Sequence, residues 1–143
     1  MTVADILARK GRKVVTTTAA TRVAEAVTLL SEHKIGALVV SEDAQRISGI
    51  ISERDIVRAL AKGGAAILNG PVSAIMTPGV VTCREDDTVN QLMTEMTRGR
   101  FRHVPVVASG RLAGLVSIGD VVRERIGEVE REAEDMRAYI ATA

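Results

Sequence analysis

The chain has 143 residues, 46% of them hydrophobic, with one Phe, one Tyr and no Trp. Its 19 basic and 18 acidic residues leave a net charge of +1, which offers no basic surface for nucleic acid, and the scarcity of aromatic rings excludes platforms for stacking bases. A single cysteine excludes an internal disulfide and favours a reducing compartment, and without a signal-like or membrane-length apolar run we expect a soluble, cytoplasmic protein with no membrane partner.

The first half of the chain predicts a lead-in helix and then a strand–helix–strand–strand–helix unit. The β-branched residues 14–16 favour a strand. Thr21 is a suitable N-cap, and apolar residues at helical spacing from Val23 to Leu30 predict the helix that follows it. The other predicted elements are the lead-in helix 3–9, the strands 37–40 and 47–51, and the helix 54–62.

The second half repeats this order. Residues 80–82 match 14–16 at an offset of 66 residues, which becomes 65 after a shortened polar turn, so that 112–122 repeats 47–57. The lead-in recurs as a predicted helix at 72–76. We therefore expect an α/β chain of two β-α-β-β-α repeats packed about a pseudo-twofold axis. The expected limits are 1–64 for repeat 1, 65–71 for a linker, 72–127 for repeat 2 and 128–143 for a C-terminal helical extension.

Each repeat ends in a strand that runs into Ser-x-x-Asp at the start of a helix: Ser52 with Asp55, and Ser117 with Asp120. A carboxylate can accept hydrogen bonds from both hydroxyls of a ribose, and a helix N-terminus with a serine hydroxyl favours a phosphate. Glycine before the second aspartate, Gly119, would let a ligand approach the backbone. The alternative is a capping box that only starts the helix. The two roles are compatible.

The duplicated unit, its Gly-x-x-Ser-x-x-Asp ending and the stretch 101–122 resemble the cystathionine-β-synthase (CBS) domain pair, or Bateman module, of bacterial stand-alone proteins. The resemblance covers about residues 3–127. It implies a regulatory, non-catalytic module, usually a homodimer, that binds adenosine-containing ligands between its repeats. We expect AMP, ADP or ATP as the ligand, with NAD(H) as an alternative, no catalytic cofactor, and an unidentified regulated protein as a further partner.

The resemblance also implies which other residues face the ligand. Arg102 and His103 match phosphate-contacting positions, whereas the first repeat has Gly36 and Ala37 there, so we expect unequal clefts. Arg54 would reach a phosphate or form an exposed ion pair. Residues at the end of each first strand often contact adenine in the family. The complete candidate set is Thr16, Thr17, Ile35, Gly36, Ala37, Ser52, Arg54, Asp55, Thr82, Cys83, Arg102, His103, Val104, Pro105, Ser117, Ile118, Gly119 and Asp120.

The last helix carries an apolar seam at spacings of 4, 3, 4, 3 and 4 residues: Val122, Ile126, Val129, Ala133, Met136 and Ile140. This seam either packs on its own domain or contacts a second chain. It supports an alternative function, a ligand-free interaction module that acts through dimerisation and this helix. The two histidines and one cysteine lack metal-ligand clustering, and no catalytic constellation is evident, so we expect neither a metal site nor an enzyme.

Overall fold

The computed structural model describes residues 1–142, and it confirms the predicted α/β fold class. The helices are α1 (Val3–Lys10), α2 (Val23–His33), α3 (Glu53–Gly63), α4 (Val89–Gly99) and α5 (Ile118–Thr142). The strands are β1 (Thr16–Thr17), β2 (Ala37–Val40), β3 (Gly49–Ser52), β4 (His103–Ala108) and β5 (Arg111–Ser117). Two 3₁₀ helices, Gly64–Asn69 and Val72–Ala74, connect the repeats. The last residue of the predicted extension, 143, lies outside the described residues.

The two repeats build unequal sheets. In the first, β2 lies between β1, which is parallel to it, and β3, which is antiparallel. In the second, β4 and β5 form an antiparallel pair, and the predicted strand 80–82 is wrong: one parallel bridge joins Cys83 to Val106. Pro105 stands where the first repeat has Val39, which pairs with Thr16. Proline has no N–H to donate, so the ladder cannot extend past this bridge.

Two further local predictions are wrong. The N-cap of α2 is Arg22 instead of Thr21, whose hydroxyl oxygen lies 2.7 Å from that of Thr18. The predicted helix 72–76 is a single 3₁₀ turn, because the backbone of Thr77 pairs with Ile50 of β3 at 2.8 and 3.0 Å. A residue that precedes a proline, as Thr77 does, also disfavours helical geometry.

Each lead-in segment packs on the core of the other repeat. Residues Val3, Ile6 and Leu7 of α1 join the core formed by α4, β4, β5 and α5. Val72 joins the core formed by α2, β2, β3 and α3. A Cβ on Gly114 would come within 2.7 Å of Leu7, so this glycine allows α1 to approach β5. The two repeats are therefore interlocked in the fold. The division of the chain into repeat 1 (1–64), a linker (65–71), repeat 2 (72–127) and an extension (128–143) stays a prediction.

The C-terminal helix α5 is continuous for 25 residues and leaves its apolar seam exposed. Its first turns pack on the body through Val121 and Glu124, and Glu124 forms an ion pair with Arg9 of α1 at 2.9 Å. Within residues 1–142, none of the helices combines the length and the apolar character that crossing a membrane requires.

Candidate functional site

The first Ser-x-x-Asp motif is a capping box at the junction of β3 and α3. The Ser52 N–H donates to Asp55 Oδ2 at 2.9 Å, and the Asp55 N–H donates to Ser52 Oγ at 3.2 Å. Among the described residues, the other carboxylate oxygen, Oδ1, accepts a single long bond of 3.3 Å, from the hydroxyl of Thr77. The cap therefore fixes the carboxylate while leaving Oδ1 available to a ligand.

This motif opens into a cleft of about 200 Å³ between the repeats. The N-terminal end of α3 forms one wall, and the segment between α4 and β4 forms the other. The cleft is lined by Gly36, Ile50, Ser52, Glu53, Arg54, Asp55, Arg58, Thr77, Arg100, Phe101, Arg102 and His103. A ligand in this position would contact both repeats at once.

Four arginines make the cleft predominantly basic. Arg54 and Arg58 come from α3, while Arg100 and Arg102 come from the second repeat. Arg54 crosses the cleft and donates to the backbone carbonyl of Arg100 at 3.3 Å. Glu53 is the one acid beside Asp55 among the lining residues. Guanidinium groups match phosphate oxygens in geometry and charge, so the cleft favours an anionic ligand.

His103 projects from the start of β4 against the first repeat. A Cβ on Gly36 would lie 3.2 Å from its Nε2, so glycine at that position makes room for the imidazole. Burial lowers the pKa of His103, and the nearby positive charge of Lys10 lowers it further, against the opposing influence of Glu53 and Asp120. The imidazole is therefore neutral at pH 7.

The lowered pKa predicts a stability loss in mild acid. A histidine with a lower pKa in the folded chain stabilises the fold above the unfolded value of about 6.5, and this contribution disappears as the pH falls toward the folded value. Melting curves at pH 7.5 and 5.5 should therefore show a smaller decrease in Tm for His103→Gln than for the wild type. His33→Gln, at the exposed end of α2, is the control and should behave as wild type. Equal decreases for His103→Gln and wild type would contradict the assignment.

The second Ser-x-x-Asp motif forms the same cap but is closed by side chains. The Ser117 N–H donates to Asp120 Oδ2 at 2.9 Å. Lys10, the last residue of α1, donates to the same oxygen at 2.7 Å, and Arg123 donates to Oδ1 at 2.9 Å. Burial raises the pKa of Asp120, but the bonds from Lys10 and Ser117 outweigh it and hold the pKa below its usual value. Asp120 is thus a buried, ionised and fully engaged carboxylate.

One of the two residues that close the second motif is Lys10, which lies far from it in the sequence. Lys10 also donates to the carbonyl of Leu115 at 2.8 Å, which holds its ammonium group beside Asp120. At the offset of 66 residues, its counterpart is Met76, whose sulfur packs 2.8 Å from where a Cβ on Gly49 would be. An uncharged thioether cannot pair with a carboxylate. Asp55 therefore lacks the bond that Lys10 gives to Oδ2 of Asp120. Arg123 occupies Oδ1 of Asp120, the carboxylate atom that Asp55 leaves open.

The structure divides the predicted site residues into three groups. The cleft brings together Gly36, Ser52, Arg54, Asp55, Arg102 and His103. The closed second motif contains Ser117, Ile118, Gly119 and Asp120. The others lie along the strands, beside the cores or on the segment before α4: Thr16, Thr17, Ile35, Ala37, Thr82, Cys83, Val104 and Pro105. Burial raises the pKa of the Cys83 thiol to about 12, which is unsuited to a nucleophile.

Sequence reasoning missed several residues of the cleft. Arg58 recurs as Arg123 one turn after each motif, a signal that the repeat register contained. Arg100 has a φ of 57° at the C-cap of α4, matching Lys34 at 54° after α2, so this left-handed turn directs the following residues into the cleft. Ile50 and Phe101 supply its apolar part. Among residues 1–142, no cluster of three or more His, Cys, Asp or Glu side chains could hold a metal ion.

The CBS domain family model matches the chain twice, at residues 3–62 and 72–127. The crystal structure of a CBS-domain protein from Agrobacterium tumefaciens is 52% identical, with a TM-score of 0.85 over 87% of this chain and 99% of its own. The resemblance predicted from the sequence is confirmed.

Two other similar structures contain adenosine compounds. The CBS domain pair of protein MJ0100, in complex with 5′-methylthioadenosine and S-adenosyl-L-methionine, is 30% identical, with a TM-score of 0.78 over 90% of this chain and 98% of its own. A CBS domain protein from Pyrobaculum aerophilum, complexed with AMP, is 31% identical, with a TM-score of 0.74 over 84% of this chain and 89% of its own.

Proposed function

The chain belongs to the CBS-domain family, and from that premise we propose that it is a non-enzymatic regulatory module that binds one adenosine-containing ligand per chain in the cleft beside Asp55. The open Oδ1 of Asp55 carries this proposal, because it is the acceptor that the second motif lacks. The adenosine compounds bound by similar CBS pairs support the ligand class.

The charge of the cleft favours a phosphorylated adenosine. Asp55 would accept from the ribose hydroxyls, and the arginines would bind the phosphate oxygens. AMP, ADP, ATP and NAD(H) fit this arrangement. S-adenosylmethionine carries a sulfonium cation, which the four arginines of the cleft would repel. We therefore expect the cleft to bind the phosphorylated compounds more tightly than S-adenosylmethionine.

A ligand in the cleft would act on the joint between the repeats. Arg54 and Asp55 belong to the first repeat, and Arg102 and His103 belong to the second. Binding would stabilise the arrangement in which these residues face one another, and a regulated protein would respond to that change in population. This makes the ligand a signal instead of a substrate.

The experiment is a series of thermal melts of the full chain with AMP, ADP, ATP, NAD and S-adenosylmethionine, using ribose 5-phosphate as the control without a base. A ligand at 100 times its Kd should add about 2.7 kcal/mol to the free energy of unfolding. We expect a rise in Tm with at least one phosphorylated adenosine and a much smaller one with S-adenosylmethionine. If no adenosine compound raises the Tm, the exposed seam of α5 would favour the alternative, a ligand-free interaction module.

A further inference from the structure

Within residues 1–142, the seam of α5 is left exposed by the rest of the chain. Its apolar side chains are 42% to 68% exposed at Val122, Ile126, Val129, Met136 and Ile140, although α5 is anchored to the body through the opposite side of its first turns. In a heptad assignment, positions a are Ile126, Ala133 and Ile140, and positions d are Val122, Val129 and Met136. Helices with this pattern associate through the a and d positions.

The charges beside the seam differ in sign from one heptad to the next. Positions g hold Arg125 and Glu132, and positions e hold Glu130 and Arg137. In a parallel pair, each g position faces the e position of the next heptad in the other helix. Arg125 would then face Glu130 of the partner subunit, and Glu132 would face Arg137 of the partner subunit. Both contacts join opposite charges, and twofold symmetry doubles them.

An antiparallel pair that overlaps along the full seam, with Val122 opposite Ile140 of the partner subunit, would bring like charges together. In that orientation, g positions face g positions and e positions face e positions. Glu132 would face Glu132 of the partner subunit, and Glu130 would face Glu130 of the partner subunit. Within the single chain, Arg125 donates to Glu128 at 3.0 Å, so pairing would require this side chain to exchange or share its acceptor. When the full seam is buried, the charge pattern thus favours the parallel orientation.

We propose that the seam of α5 binds the seam of a second copy of this chain in parallel, as a short two-stranded coiled coil. From Val122 to Ile140 the contact would be about 27 Å long, at 1.5 Å per residue. So short a coil is weak by itself, and the folded bodies that follow its N-terminal end would add to the contact. Parallel pairing brings the two Asp120 motifs, where α5 begins, to the same end of the dimer.

Site-directed crosslinking tests the orientation in the full chain. Residues at equivalent a positions face each other in a parallel pair, so Ala133→Cys should yield a disulfide-linked dimer under mild oxidation. Ala138→Cys, on the outer face of the same helix, is the matched control and should yield little. The native cysteine, Cys83, is 2% exposed and should not compete. A monomeric wild type in sedimentation, or equal crosslinking of the two variants, would overturn the proposal.

A charge reversal tests the same interface without crosslinking. Glu130→Arg places two arginines opposite each other in a parallel pair and should raise the dimer Kd by about tenfold. Adding Arg125→Glu restores opposite charges and should recover most of the affinity. In the fully overlapping antiparallel pair, Glu130→Arg only replaces one like-charge contact by another. Failure of the double variant to recover affinity would therefore contradict the parallel orientation.

Discussion

Replacement of Asp55 by Asn should raise the Kd of the adenosine ligand by at least about 100-fold. Two hydrogen bonds from ribose hydroxyls to a carboxylate contribute about 1.5–3 kcal/mol each, and the neutral amide has only one acceptor oxygen. The amide oxygen is also needed by the capping box, where Ser52 donates to the carboxylate at 2.9 Å. Isothermal titration calorimetry with the phosphorylated adenosine that raises the Tm most would measure the change.

Two controls separate binding from folding in this experiment. Asp86→Asn removes a carboxylate whose side chain is 81% exposed, and it should bind the ligand as wild type does. Weakening the cap should lower the stability of Asp55→Asn by about 1 kcal/mol, so its melting curve should still show a cooperative transition. Tight binding by a folded Asp55→Asn variant would exclude this carboxylate as the ribose acceptor.

Replacement of Lys10 by Met should create a second, weaker binding site. The change removes the ammonium group that holds Asp120 Oδ2 at 2.7 Å and gives α1 the residue that occurs at the equivalent position, Met76. Arg123 still bonds Oδ1, but its side chain is 72% exposed and can swing toward solvent or toward a phosphate. Calorimetry should then show about two ligands per chain, the second bound less tightly.

The exposure of the Lys10–Asp120 pair sets the stability that Lys10→Met should lose. Asp120 is 8% exposed at its side chain but Lys10 is 36% exposed, so loss of the pair should destabilise the fold by roughly 1 kcal/mol. Lys13→Met makes the same change of charge in the exposed segment after α1 and should keep one site. A single site in Lys10→Met would show that a contact other than Lys10 closes the second motif.

The repeat register made most of the fold predictable from the sequence. Matched strands, helices and motifs at offsets of 66 and 65 residues define two related units without any structural information. The capping role of Ser-x-x-Asp is local in sequence and was therefore visible as an alternative. Equivalent positions also carry different residues, such as Gly36 in the first repeat and Arg102 in the second. This difference predicts that the two clefts are unequal.

The features that the sequence did not predict depend on contacts between segments far apart in the chain. Nothing near α1 indicates that Leu7 packs against Gly114, because apolar periodicity identifies a buried face but not its partner. The loss of the strand at 80–82 results from Pro105, more than 20 residues away, whose missing N–H matters only once the strands are paired. Lys10 bonds to an aspartate 110 residues away in the sequence, and no local pattern links the two.

One of the two matched motifs is open, and the other is closed by side chains of the same chain. The most direct measurement is the number of ligands bound per wild-type chain, obtained by calorimetric titration with the phosphorylated adenosine of highest affinity. The open Oδ1 of Asp55 and the engaged carboxylate of Asp120 predict one ligand per chain. Two ligands bound with equal affinity would show that both motifs are open. Ligand bound by Asp55→Asn as tightly as by the wild type would exclude Asp55 as the binding residue.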